Sequence, residues 1–131
     1  MYVDGSQVLV LQGEVSEYDV AGKRVTSRDG YGKYSTVTAE PGPLLGPDGY
    51  DLCGYYDLAR LAPHDVSVGS VVRCLTGVKP TCKEYHAAAA YCQATHFRPP
   101  QSIELVVALG PVAAQAMGLE GKIEQWRGHV L

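Results

Sequence analysis

A chain of 131 residues, 46% hydrophobic and 19% charged, is sized for one domain and too apolar for intrinsic disorder. Its net charge of −3 excludes a bulk polyanion binder, so a nucleic-acid site has to be a local basic patch. No apolar run reaches the roughly 18 residues of a membrane span, and Met1-Tyr-Val-Asp4 has neither the basic nor the apolar region of a secretory signal. A cytoplasmic chain that does not engage a membrane is therefore expected. Its four cysteines, Cys53, Cys74, Cys82 and Cys92, are expected to stay reduced. They form no C-x-x-C pair, so neither a zinc ribbon nor a thioredoxin-type site is readable.

Along the chain, Val8-Leu-Val-Leu-Gln12 is short, branched and bounded by glycine, which predicts a buried strand. Val25 to Val37 carries β-formers on both sides of Asp29-Gly30 and predicts a hairpin. From Gly22 to Tyr34 the chain carries Lys23, Arg24, Arg28 and Lys33 against only Asp29, with Tyr31 and Tyr34 interleaved. Such a finger suits phosphate contact and base stacking. Tyr50 to Leu61 places Leu52, Tyr55, Tyr56 and Ala59 on one stripe of a helix. Val66 to Val72 predicts a second strand. Thr81 and Glu84 form a capping box for an Ala-rich helix over Tyr85 to Ala94. Ile103 to Ala108 predicts a third strand, and Gly110-Pro111 opens a last helix that Gly118 stops after Met117.

Strands alternating with helices predict a right-handed α/β domain: three layers, α/β/α, around a short parallel sheet of three to four strands, with an inserted β-hairpin. Sites in such sheets form at the carboxyl ends of strands. Those ends are Gly13–Ser16, Arg73–Gly77 and Gly110–Val112, with a pocket expected between Glu14 and Leu109-Gly110.

The same elements resemble the uracil-DNA glycosylase superfamily, in particular the iron–sulfur type found in thermophiles and fused to some phage polymerases. Leu11-Gln-Gly-Glu-Val-Ser16 is similar to the family's G-E-A-P-G loop. Pro43-Leu-Leu-Gly-Pro-Asp-Gly49 is similar to P-F-x-G-x-x-G. An ungapped stretch leads from there to Val71-Val-Arg-Cys74, which resembles N-V-V-K-C. Pro80-Thr81 with Glu84, Leu109-Gly-Pro-Val-Ala-Ala-Gln-Ala116 and Trp126-Arg-Gly128 resemble D-P-T-x-x-E, L-G-x-x-A-A-x-A and R-G-K. The resemblance covers residues 1–131 as one domain with an insertion at about 19–42. It implies one further strand and an H-P-S loop beyond Leu131, so the chain reads as truncated at its C-terminus.

The resemblance implies an extruded, uracil-type base and hydrolysis of its N-glycosidic bond in DNA repair. Glu14 would orient water. The backbone at Gly13, Val15 and Ser16 would hold the base oxygen, and Leu44 and Ser70 would contact the base. Lys23, Arg24, Arg28, Lys33 and Gly110 would contact DNA. Leu44 and Ser70 replace the family's stacking phenylalanine and base-reading asparagine. These departures keep open an alternative, a non-catalytic nucleic-acid- or partner-binding module, such as a phage accessory subunit or polymerase-associated domain in a bacterial or phage-infected cell. A small nucleotide-binding protein ranks last, because no G-x-G-x-x-G follows a strand. Cys74, Cys82 and Cys92 are the ligands an iron–sulfur cluster would use. The family's first C-x-x-C is absent, so no cofactor is the favoured reading.

Overall fold

The computed structural model describes residues 2–73, 77–78 and 82–119. The chain order is β1 (Val8–Glu14), α1 (Glu17–Ala21), β2 (Lys23–Arg28), β3 (Tyr34–Thr38), α2 (Pro47–Leu58), β4 (Val66–Val72), α3 (Lys83–His96), β5 (Leu105–Leu109) and α4 (Pro111–Ala116), with a 3-10 turn at Pro63–Asp65 before β4. β1 is the middle of a three-stranded parallel sheet ordered β4-β1-β5. Its register pairs Val8 with Val66 and with Leu105. A central parallel strand loses both faces to the interior, which is why it reads as an unbroken apolar run. Leu9, Val10 and Leu11 are each 1% exposed.

α3 and α4 pack on this sheet. Leu11, Val71, Val72, Tyr85 and Ala113 form a core cluster, and Ala88, Ala89, Val106, Ala108 and Val112 pack against it. Alanines on both helices let them approach the sheet closely. β2 and β3 form a separate antiparallel hairpin. α1 and α2 pack against β2 of that hairpin rather than extensively on the main sheet. The fold is thus the expected α/β type with its hairpin, at the lower end of the expected strand number.

Four local features differ from the sequence expectations. Helix α1 is not readable as an apolar pattern; Ser16 caps it by accepting from the Asp19 N–H, while Asp19 accepts from the Ser16 N–H. The hairpin turn is longer than Asp29-Gly30 implies. Asp29 N–H donates to the Lys33 carbonyl, Gly32 N–H donates to the Asp29 carbonyl, and Gly32 has φ +81°. Glycine is needed at Gly32, not Gly30. α2 shows no buried stripe, since Tyr55 and Ala59 are exposed while Leu52 and Tyr56 are half-buried. Helix α3 begins at Lys83 with Cys82 as its N-cap and no side-chain capping bond; Thr81 lies outside the described residues. α4 starts at Pro111 as expected. It closes at Gly118 (φ +86°), where Leu119 N–H bonds back to the Ala114 carbonyl.

Candidate functional site

The carboxyl end of β1 passes straight into the loop that caps α1, and this gathers a polar network. Asp19 is 2% exposed. Its Oδ1 accepts from Leu45 N at 2.7 Å, and its Oδ2 accepts from Ser16 N at 3.0 Å and Gln12 Nε2 at 3.3 Å. A carboxylate only accepts, so the Gln12 amide must turn its NH₂ toward Asp19. The same Nε2 donates to Ser70 Oγ at 2.7 Å, across the β1–β4 pair. Ser70 accepts that bond and retains its own O–H as a donor.

Beside this network lies a cleft of about 370 Å³. Its walls come from β4 (Val68, Gly69, Ser70), Arg73, Tyr2, the end of β1 and α1 (Val15, Asp19, Val20), and Pro41-Gly42-Pro43. Arg73 is exposed and supplies positive charge at the rim. Burial pushes the Tyr2 phenol up, partly offset by a backbone bond at Arg98 and by the charges of Arg73 and Arg98. A phenol, a hydroxyl, a carboxylate already engaged by backbone donors and one cation on an otherwise apolar wall suit a small polar ligand.

Of the expected base-binding residues, Val15 and Ser70 line this cleft. Gly13 lies elsewhere: a Cβ there would sit 3.1 Å from Val112 Cβ. The end of β1 therefore packs closely on the start of α4 at Val112, and the described cleft opens on the β4 side. Glu14 is not among the cleft's described lining residues. It lies within electrostatic range of Tyr85 and, with burial as the larger cause, raises that phenol's pKa. Two of the three backbone donors expected for a base oxygen are already engaged, Val15 N with the Val72 carbonyl and Ser16 N with Asp19. Leu44 stands in the left-handed region with φ 57° and is half-buried, while its neighbour Pro43 contacts the cleft. Gly110 caps α4 with φ 88°, and its carbonyl accepts from Ala114 N.

The four basic residues of the hairpin are all exposed. Asp29 Oδ1 accepts from Tyr31 N and Lys33 N, each at 2.9 Å. This stiffens the turn and lifts Tyr31 to 98% exposure. Arg28 is hydrogen-bonded to Tyr34, and that bond, with Asp51 nearby, holds the guanidinium above its ordinary range.

Cys82 and Cys92 are ten positions apart at the start and in the body of α3. That separates them by roughly 15 Å along the axis, beyond the reach of one cluster. Cys74 lies outside the described residues, and Cys53 is exposed on α2. Among the described residues no group of three or more His, Cys, Asp or Glu side chains could hold a metal ion. No helix among them is long and apolar enough to cross a membrane.

Arg73 lies at a strand end where a site is expected, whereas Tyr2, Gln12 and Asp19 are site residues that the sequence pattern did not single out. Ser16-x-x-Asp19 was the available signal, a capping pattern directly after a strand. No protein family, curated protein or solved structure matches the chain.

Proposed function

We propose that this chain is a single-stranded-DNA-binding α/β domain that grips its ligand with the β2–β3 hairpin. The observation carrying this reading is Tyr31, nearly fully exposed on a turn held by Asp29, with Lys33 in that turn, Arg28 at its base and Lys23 and Arg24 further along the same hairpin. Leaving an aromatic ring in water is unfavourable for the free protein, whereas stacking on a base removes it from water. The cations then meet the phosphates on either side. Binding requires no ordered metal and no chemistry from Glu14.

The test is fluorescence anisotropy with labelled oligothymidylate over a range of salt concentrations. The parent chain is expected to bind with a negative salt slope. Replacing Lys23, Arg24, Arg28 and Lys33 by Ala should weaken binding and reduce the slope by about 0.7 per lost phosphate contact. Unchanged affinity and slope would overturn the proposal.

A second reading, excision of a uracil-type base, draws support from the cleft, whose wall includes Val15 and Ser70 at the ends of β1 and β4. The engaged N–H groups of Val15 and Ser16 weigh against it, because a missing oxyanion donor typically costs about 100–1000-fold in rate. The 131-residue chain is therefore expected to release uracil from single-stranded DNA very slowly or not at all. Rapid strand scission after alkali, abolished by Glu14→Gln, would favour excision over simple binding.

A further inference from the structure

The hairpin is fastened to the segment that leads into α2. Val25 is the one buried residue of β2, and its N–H donates to the Leu45 carbonyl at 2.8 Å. Two positions after the bulge that follows Val25, Arg28 pairs with Tyr34 across the ladder and reaches α2. Its Nη1 lies 3.9 Å from Asp51 Oδ1, with the two side chains 48% and 47% exposed. Tyr50, immediately before Asp51 in α2, is 37% exposed and within electrostatic range of the same guanidinium. Arg28 therefore has a tyrosine as its cross-strand partner and, within ion-pair distance, a helix carboxylate whose neighbour in sequence is Tyr50. A half-exposed ion pair at this separation adds little to stability, so Asp51 is not needed to hold the fold.

We infer that the strand-binding surface continues from the hairpin onto α2, with Tyr34 and Tyr50 as successive stacking faces, Arg28 as the phosphate contact between them, and Asp51 as the counter-ion that this phosphate displaces. The inference rests on the hairpin being the single-strand contact proposed above. Its physical content is a competition. Arg28 can satisfy the Asp51 carboxylate or a phosphate, and a carboxylate beside the bound strand repels it. Removing the charge of Asp51 should therefore strengthen binding. A purely structural Asp51 would give the opposite sign or none. Tyr50 should matter through its ring and not its hydroxyl, because stacking uses the π-face.

The experiment titrates the full chain with labelled oligothymidylates of increasing length. Asp51→Asn is expected to bind on the order of fivefold more tightly at low salt, the gain shrinking as salt screens the charge. Tyr50→Ala should bind on the order of tenfold more weakly and reach its limiting affinity at a shorter oligonucleotide. Tyr50→Phe should match the parent. Asp51→Asn that binds no more tightly, or Tyr50→Ala that matches Tyr50→Phe, would overturn the inference. If Tyr31→Ala and Lys33→Ala weaken binding while the Tyr50 and Asp51 variants change nothing, the surface ends at the hairpin and only this inference fails. If the parent does not bind oligothymidylate, both fail. Should Tyr50→Ala unfold, Asp51→Asn still decides, since it changes one exposed group of nearly the same shape.

Discussion

Asp19 shows how one buried carboxylate can organise a strand end, a helix start and a distant loop. It accepts from Ser16 N, Leu45 N and Gln12 Nε2 while almost wholly removed from water. Asp19→Asn would set an NH₂ against at least one of these donors, and the expected loss is about 2–4 kcal/mol, measured by denaturant unfolding. Tyr56 is the opposite case. Its hydroxyl is buried and, among the described residues, has no hydrogen-bond partner. Tyr56→Phe should therefore be neutral or slightly stabilising near neutral pH. Burial, with Cys53 as a smaller cause, pushes the Tyr56 phenol up from 10.0 to about 12. The folded state favours the protonated phenol, so this contribution is complete below pH 10.0 and is lost as pH rises through about 12. Paired denaturation curves of parent and Tyr56→Phe should diverge in favour of Phe across that window. Chemical type was legible at this scale where a residue acts on its neighbours in sequence, as in Ser16-x-x-Asp19. It was not legible for Gln12 with Ser70, which lie 58 positions apart and meet only through the parallel register.

At the scale of elements, strands were easier to read than helix faces. Val66–Val72 matches β4 residue for residue, because a parallel strand buried on both sides needs only a run of branched residues between breakers. The stripe expected on α2 is broken because Tyr55 serves the surface, at 64% exposed, while Tyr56 beside it turns inward. The glycine spacing around that helix does have a physical reading. A Cβ on Gly49 would fall 1.7 Å from the Leu44 carbonyl oxygen, and one on Gly46 would fall 3.1 Å from the Tyr18 ring. The loop folds back on the helix start, and its glycines make room for it. The other end of α2 carries strain. Arg60 has φ 56°, and Leu61 N–H bonds back to the Tyr56 carbonyl at 2.9 Å. That position favours glycine. Arg60→Gly is expected to stabilise the protein by about 1 kcal/mol, seen as a raised thermal midpoint with oligonucleotide affinity nearly unchanged.

The whole molecule divides into a sheet with α3 and α4, and a hairpin with α1 and α2, joined through β1, Asp19 and Leu45. The expected site drew on the ends of all three strands; the observed cleft draws on β1 and β4. On the other side Gly13 packs closely on Val112, a packing detail that no spacing in the chain announces. The placement of β1 between two later strands has a further consequence, in time rather than space. Ser102 hydroxyl bonds to the Ser6 carbonyl across 96 positions, and β5 takes its place beside β1 only once that span exists. At about 5–20 residues per second of synthesis, the delay is about 5–20 s. The hairpin, closed by a short local turn, can form within microseconds of its own emergence. A nascent chain therefore carries Val8 to Leu11, its most water-averse stretch, unpaired along at least one edge until β5 has been made. That interval is when it is most exposed to misassembly with its neighbours.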